Sequence, residues 1–320
     1  MKLLLASREV VWGGGEVFLH ELATELKRYG HAVAWRVHQN SELSSRITED
    51  EVHSPYSPIP YKIVIANDFR SLWISLLLDG PFCRRIFVVH GGWQLSPVRA
   101  RLIRFSATDV FCVNSDLVTQ ARALRIARSD LLRIGPVARR EKATWAAKLK
   151  TDSSQIYFGT IARLDPIKRL DVFCRLVNLL GARGIVVCPK PTNDVQVQLL
   201  RMLHRFPNIE IHADGDAEHV WKDADIFLST SLDESFGLAH IEALQRGVPV
   251  LTTARQGPQD FMKNELAAGL LESNVLSNSA DVDSRIARIA QSWHQYQTDA
   301  ADAVDSRGPS ACVRQILDLL

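Results

Sequence analysis

Short apolar runs alternate with longer helical patterns along this 320-residue chain, and the alternation starts twice. In the first half the runs are Leu3–Ala6, Ala32–Val37, Ile63–Ala66, Ile86–His90, Val110–Asn114 and Leu132–Gly135, with a helix expected over Val17–Tyr29 and ended by Gly30. In the second half strands are expected at Gln155–Thr160, Gly184–Cys188, Ile209–Ala213, Ile226–Ser229 and Val248–Thr252. Helices are expected there at Leu170–Leu180, Val195–Phe206 and Gly237–Arg246. Strands that are apolar on both faces and alternate with helices build a parallel sheet covered on two sides. The expected fold class is therefore α/β: two Rossmann-like, doubly wound domains facing a central cleft. Their expected bounds are 1–145 and 154–305, joined through the polar stretch Glu141–Ser154. Two closing helices, at about 281–305 and 309–320, follow, and segment 306–320 is expected to pack back across the domain junction. Ligands of such sheets bind beyond the carboxyl ends of the strands, so the loops at those ends carry the functional question.

Composition narrows the class. The longest apolar run, Ser71–Leu78, is far shorter than the roughly 20 residues of a membrane span. Met1–Gly15 reads as a first strand running into a glycine-rich loop, not as a signal peptide. Five cysteines without CxxC or Cys/His ligand spacing point to reduced, buried thiols and a cytoplasmic protein. Charge divides by half: 22 basic and 14 acidic residues in 1–150 make +8, and 16 and 22 in 151–320 make −6. Halves of opposite sign suggest different partners.

Four loops stand out. In the segment Val10–Leu22 three glycines, Gly13–Gly15, separate strand from helix. Glycines let backbone N–H groups approach a phosphate or sugar, but Phe18 stands where a dinucleotide fingerprint needs its third glycine, and a plain tight turn explains the loop equally. His90, followed by Gly91 and Gly92, ends a strand; such a histidine is either structural or a ligand contact. Arg163 and Lys168 converge on a helix entrance, which suits a diphosphate, although a solvated basic turn has the same composition. The fourth loop, DESFGLAHIEAL at 233–244, carries Glu234 at a turn and Glu242 within the helix that follows. The helix macrodipole explains an acid at the helix entrance. It explains Glu242 poorly, because Glu242 shares a half-apolar face with Leu238, Ile241 and Gln245 and so needs a partner. Arg246, Arg255 or a hydroxyl-rich ligand would serve.

The pattern E-x-F-G-L-x-x-x-E followed by A-L-x-x-G-x-P-V resembles the nucleotide-binding motif of the family-four retaining glycosyltransferases (group 1), which have the GT-B fold. The resemblance extends to the glycine-rich first loop, to R-L-x-x-x-K at Arg163–Lys168 and to VWKDADIFLSTS at 220–231. It implies a retaining transfer of a sugar from a UDP- or GDP-linked donor to a glycan, a lipid-linked or a small-molecule acceptor, without cofactor or metal. The N-terminal domain would bind acceptor and the C-terminal domain donor. Arg163 and Lys168 would bind the diphosphate, Glu234 the donor sugar or its phosphate, Glu242 the ribose hydroxyls, and the backbone of Phe236, Gly237 and Leu238 phosphate or sugar. Gly14 and Gly15 would line the cleft, and His90 would lie near the transferred sugar, making Glu234, His90, Arg163 and Lys168 the catalytic set. The chain departs from the pattern at CPKPTND (188–194), where the family has a glycine-rich turn, and at Asp260, where it has Glu. A nucleotide-sugar epimerase of the same fold, or an inactive nucleotide-sugar-binding subunit, remains an alternative.

Asp-x-Asp pairs occur at Asp214/Asp216, Asp223/Asp225 and Asp281/Asp283, and His212 and His219 flank the first; they read as strand-end turns and helix ends more than as a metal site. The basic half clusters its charge. Arg84 and Arg85 precede the His90 strand, Arg99, Arg101 and Arg104 interleave with Trp93, Val98, Leu102 and Phe105, and Arg122, Arg125 and Arg128 recur every three residues. A basic amphipathic helix of this kind can lie on an anionic membrane surface, which would make the protein peripheral on the inner face of the membrane; a solvated face or an anionic soluble acceptor fits the same residues. No nucleic-acid partner is expected.

Overall fold

A computed structural model describes residues 2–9, 13–47, 52–53, 61–126, 129–131, 145–146, 148–305 and 309–318. The chain divides into two compact units, Met1–Ala138 with Ser306–Leu320, and Arg139–Asp305.

The first unit contains β1 (Lys2–Ser7), α1 (Gly14–Arg28), β2 (Ala32–Val37), β3 (Val52–His53), β4 (Ile63–Ala66), α2 (Phe69–Leu78), β5 (Arg84–Val89), α3 (Pro97–Ser106), β6 (Asp109–Cys112), α4 (Ser115–Ala123) and β7 (Ser129–Leu131). Among the described residues its strands form one parallel sheet in the order β3-β2-β1-β4-β5-β6-β7. The second unit contains β8 (Tyr157–Ile161), α5 (Leu170–Leu179), β9 (Arg183–Cys188), α6 (Asp194–Leu203), β10 (Ile209–Ala213), α7 (Glu218–Asp223), β11 (Ile226–Ser229), β12 (Asp233–Glu234), α8 (Leu238–Gln245), β13 (Val250–Thr252), β14 (Arg255–Gln256), α9 (Ala280–Gln291) and α10 (Trp293–Asp305). Its main sheet is also parallel, in the order β10-β9-β8-β11-β13. Counted within each sheet, the orders are 3-2-1-4-5-6-7 and 3-2-1-4-5, and both reverse direction beside the first strand as in a Rossmann fold. A last helix, α11 (Pro309–Leu317), packs on α1 and belongs to the first unit.

The apolar runs form strands because both sheet faces are covered. Leu3, Leu4 and Leu5 lie consecutively in β1 and all are fully buried, as are Phe158 and Phe227 in the second sheet. Side chains at consecutive strand positions point to opposite faces, so neither face of β1 meets water. Short polar caps start four of the helices: the side chains of Asp68, Ser96, Asn114 and Asn193 accept the N–H of Ser71, Arg99, Leu117 and Gln196.

One expectation needs correction. The closing helix expected over 281–305 is two helices, α9 and α10, broken at Ser292, whose hydroxyl bonds back to the Arg288 carbonyl and competes with the helical ladder. The run Ser71–Leu78 is most of a capped helix, α2, lying between two strands. The strand expected at Leu132–Gly135 lies outside the described residues; the strand pairing with β6 is Ser129–Leu131. All five cysteines are free and buried.

Candidate functional site

In the second unit the strand order reverses between β8 and β11, and the loops leaving these strands meet there. After β8 the chain makes a tight turn. The Asp165 carboxylate accepts the N–H of Ile167, the N–H of Lys168 bonds the Asp165 carbonyl, and Arg169 takes a left-handed conformation with φ 49° before α5 begins. The loop after β11 is tied onto this turn: the Thr230 hydroxyl donates to the Arg169 carbonyl at 2.8 Å, and the N–H of Leu232 to the Ile167 carbonyl at 2.9 Å. The outcome is an ion pair. Lys168 Nζ lies 2.6 Å from Glu234 Oε1, which also accepts the Ser231 hydroxyl at 3.0 Å. The two side chains keep 14% and 19% of their surface open, so the pair is accessible to a ligand. Arg163 is exposed on the same turn, and its guanidinium has no partner among the described residues. The structure therefore brings Lys168 and Glu234 together, which the spacing of 66 residues did not suggest.

Glu234 is not at a helix entrance, contrary to the sequence expectation. It sits in β12, a two-residue strand paired in parallel with β14. The helix starts later, at Leu238, after Gly237 in the left-handed region at φ 85°. A side chain at Gly237 would be strained there, and its Cβ would come within 2.9 Å of His240 Nδ1. The side chain of Phe236 is buried and its ring lies 6.2 Å from that of Phe261. The first N–H groups of α8, at Leu238 and Ala239, lack intrahelical acceptors by construction. Glu242 is half-buried one turn along α8. Of the two arginines named from sequence, Arg246 pairs with Glu218 at 2.6 Å and Arg255 bonds the Leu271 carbonyl at 3.0 Å.

His240, which sequence reasoning missed, is buried beneath this loop. Its Nε2 lies 3.0 Å from the Thr252 hydroxyl, and burial, opposed by the nearby Glu234 carboxylate, lowers its pKa to about 4. A histidine inside an otherwise apolar helical face was the available signal.

In the first unit the reversal lies between β1 and β4, and a second polar group occupies it. Gly14 and Gly15 open α1, which starts from the extended Gly13. A Cβ on Gly15 would stand 2.6 Å from Asn67 Nδ2, so glycine is needed for Asn67 to fit. Glu16, next in α1, is 5% exposed; its Oε1 accepts the Ser7 hydroxyl at 3.1 Å and Asn67 Nδ2 at 3.3 Å. The other end of the Asn67 amide, Oδ1, bonds His90 Nε2. The backbone N–H of His90 donates to Gln94 Oε1 at 2.5 Å, and its ring lies 5.8 Å from that of Phe18. Burial lowers the His90 pKa to about 4 and raises that of Glu16 above its ordinary value. Glu16, Asn67 and Gln94 were missed; the signal was a polar Asn-Asp pair directly after the apolar run Ile63–Ala66.

The basic clusters are only partly on the surface. Arg85 is buried and bonds the carbonyls of Ser106 and Gly80, and Arg84 pairs with Asp109 at 2.8 Å. Arg125 lies beyond α4 in the left-handed region, and Arg128 is outside the described residues. Arg101 and Arg104 are exposed on α3, while Arg99 bonds the Trp93 carbonyl and lies over its ring. The Asp-x-Asp pairs are engaged: Asp214 with Lys190, Asp225 with Lys150, Asp281 with Arg285. His212 and His219 stack at 4.5 Å, but among the described residues no three His, Cys, Asp or Glu side chains are grouped to hold a metal ion.

The sequence pattern of the family described as Glycosyl transferases group 1 matches residues 141–301, half of the chain. The chain belongs to the group 1 glycosyl transferases. The match covers both strand-end loops that build the Lys168–Glu234 pair. Among curated relatives it is similar to a sucrose synthase of Denitrovibrio acetiphilus, with 27% identity over 46% of this chain and 22% of the relative. It is also similar to a D-inositol 3-phosphate glycosyltransferase of Mycolicibacterium gilvum, with 27% identity over 42% of this chain and 32% of the relative. The matched part thus spans about a fifth to a third of these relatives' length. Among solved structures the Anabaena protein HepE in complex with UDP-glucose has a TM-score of 0.76 at 15% identity, covering 100% of this chain and 99% of the other. Sucrose-phosphate synthase from Thermosynechococcus elongatus has a TM-score of 0.75 at 15% identity, covering 99% and 98%. The fold of this group 1 glycosyl transferase is the GT-B fold expected from its sequence, two Rossmann-like α/β units.

Proposed function

We propose that this group 1 glycosyl transferase is a retaining enzyme of the family-four type. It moves a sugar from a UDP- or GDP-linked donor to a glycan, a lipid-linked or a small-molecule acceptor. The Lys168–Glu234 pair carries the reading: a cation and a carboxylate held 2.6 Å apart, open to solvent, at a strand reversal and just before the α8 N-terminus. When the bond from the anomeric carbon to the diphosphate breaks, negative charge builds on the leaving oxygens. Lys168, Arg163 and the backbone N–H groups from Gly237 onward face that charge without having to reorganise. Glu234 holds Lys168 in place and offers its second oxygen to the sugar. Glu242 accepts the ribose hydroxyls. A relative whose structure contains UDP-glucose supports the donor class.

Incubation with UDP- and GDP-sugars, followed by nucleoside diphosphate release, tests the reading. Glu242→Ala should weaken nucleotide binding, while Glu234→Ala mainly lowers turnover. Since two cations carry the diphosphate charge, activity should survive a metal chelator. No release from any donor, or normal binding and turnover in both variants, would sink it.

On the acceptor side, α3 supports attachment to an anionic membrane surface. Val98 and Phe105 are 72% and 74% exposed there, beside the open Arg101 and Arg104. Among the described residues no helix is long and apolar enough to cross a membrane. Vesicles containing anionic lipid should pellet the protein at low salt, and replacing Arg99, Arg101 and Arg104 together should weaken this. Pelleting indifferent to both changes would remove the membrane from the reading.

A further inference from the structure

Residues 61–115 of the first unit carry seven Lys or Arg, three Asp and no Glu. All three carboxylates are committed within the unit: Asp68 caps α2, Asp79 pairs with buried Arg36, and Asp109 pairs with Arg84. The exposed charge of this stretch is therefore positive. Lys62, just before β4, and Arg101 and Arg104, late in α3, are open to solvent. Exposed apolar side chains gather in the same place. Leu77, at the end of α2, and Phe105, at the end of α3, are each 74% exposed, and Phe82, in the turn between α2 and β5, is 99% exposed. The turns after α2 and α3 lead into the parallel neighbours β5 and β6, so both lie at the amino-terminal end of the sheet.

Phe82 is held outward by a fixed turn. Before it, Asp79 is locked by two bonds to Arg36, and the Gly80 carbonyl accepts Arg85 Nη1 at 2.8 Å; after it, Cys83 is buried. Arg85 Nε also donates to the Ser106 carbonyl at 2.6 Å, so one buried guanidinium ties the Phe82 turn to the turn that follows Phe105. Apolar residues exposed singly are ordinary on a protein surface. Three of them on two turns locked together, among cations and with every nearby carboxylate engaged, call for a partner. An almost fully exposed ring projects, which suits a partner that yields around it. A second copy of the chain would bring the same cations and be repelled. We propose that Phe82, Phe105 and Leu77 form a wedge that enters the headgroup and acyl boundary of an anionic lipid surface, with Lys62, Arg101 and Arg104 against the lipid phosphates. The proposal rests on the membrane reading of α3 above and adds the group that inserts: that reading needs only attraction at the surface, and this one needs penetration.

Co-sedimentation of the full chain with phosphatidylcholine vesicles, with and without phosphatidylglycerol, tests it. Phe82→Ser removes a ring that packs against nothing, so its thermal unfolding should match that of the unsubstituted protein. Its apparent affinity for phosphatidylglycerol vesicles should fall about tenfold, the scale of taking one Phe side chain out of water. The binding that remains should still weaken with salt. Phe82→Cys carrying an environment-sensitive fluorophore should shift its emission to the blue on those vesicles and not on phosphatidylcholine alone; the five native thiols are buried and do not compete for the label. Binding of Phe82→Ser equal to that of the unsubstituted protein, or an unshifted fluorophore on bound protein, overturns the wedge and leaves the surface attraction of α3 intact. No binding of the unsubstituted protein to phosphatidylglycerol vesicles overturns both. A dimer in solution that Phe82→Ser converts to monomer assigns the ring to a second copy and overturns the lipid assignment.

Discussion

At the strand reversal of Arg139–Asp305 lies a charged pair, Lys168 and Glu234, each with part of its surface open. At the matching reversal of Met1–Ala138 lies a chain of hydrogen bonds, Ser7 to Glu16 to Asn67 to His90, whose carboxylate is 5% exposed and whose imidazole is kept neutral by burial. Both sheets run 3-2-1-4-5 through the reversal, so topology does not explain the difference. The loops do. In the second unit a left-handed Arg169 and a left-handed Gly237 shape the turns on either side of the pair, which stays partly open. In the first unit a glycine at position 15 lets Asn67 move in against the helix, closing the polar groups on one another. One fold thus offers an open electrostatic site and a closed orienting one. The first suits charge that develops during a reaction; the second suits holding a neutral group still.

The largest expected effect separates buried charge from open charge. Arg36 and Asp79 in the first unit form a two-pronged pair at 2.7 and 2.9 Å, with 3% and 0% of the side chains exposed. Asp79→Ala leaves a guanidinium in the interior without its carboxylate and should cost about 3–5 kcal/mol. Denaturant unfolding measures it, and a loss below about 1 kcal/mol would mean that water or a neighbour replaces the carboxylate.

Next is the open pair. Lys168→Ala should lower kcat by about 10²–10³, the usual effect of removing one preorganised donor to a developing negative charge. With only 14% and 19% of the two side chains exposed, the change should also cost stability, though less than Asp79→Ala. A double replacement of Lys168 and Glu234 should lose much less than the product of the single losses, because each orients the other. Multiplying losses would show that the two act apart.

Much of this fold was legible in the sequence. Strands such as Ala32–Val37, Ile63–Ala66 and Ile226–Ser229 coincide with their apolar runs because burial on both faces keeps almost every position apolar, while Ile209–Ala213, at a sheet edge, leaves Glu210 exposed. The two-residue pair β12 and β14 was not legible, since it is held by a backbone register, Glu234 opposite Gln256, and not by side-chain pattern. Glu234 therefore reads from sequence as a turn at a helix entrance and not as a strand residue. Lys168 and Glu234 were each singled out, yet their contact was invisible because it depends on Arg169 and Thr230 tying two loops together. Glu16 and Asn67 passed unnoticed for a related reason. A carboxylate next to glycines reads as a cap, and only the close approach at Gly15 shows that it faces inward.

Acid should distinguish the units. His90 and His240 both titrate near 4 in the folded protein, below the ordinary 6.5. The unfolded chain therefore takes up protons first, and stability is lost as pH falls from about 6.5 to about 4. In the first unit Glu16 opposes this, because its raised pKa makes acid favour the folded state. In the second unit Glu210 and Asp152, both lowered by hydrogen bonds, act in the same direction as His240. Arg139–Asp305 should therefore soften first on acidification. Limited proteolysis mapped by mass spectrometry from pH 7 down to about pH 3, where the lowered carboxylates also titrate, would show cleavage appearing there before Met1–Ala138. Simultaneous onset would mean that the two units unfold as one.

The smallest effect belongs to Lys150 and Asp225, and it completes the contrast with Arg36 and Asp79. Their charged atoms are just as close, 2.7 Å, so distance alone would predict equal worth. Exposure says otherwise, because Lys150 keeps 51% of its side chain in water and Asp225 26%. Removing the lysine does not strand the carboxylate, since Asp225 still accepts the N–H of Tyr157 at 2.9 Å. What remains is a screened attraction offset by the entropy of a long side chain, worth about 0–1 kcal/mol. Lys150→Ala should therefore shift the unfolding free energy by less than about 1 kcal/mol, and the shift should shrink further in high salt. A loss as large as that of Asp79→Ala, or one indifferent to salt, would show that Lys150 is buried in solution and that exposure is the wrong basis for ranking the two pairs.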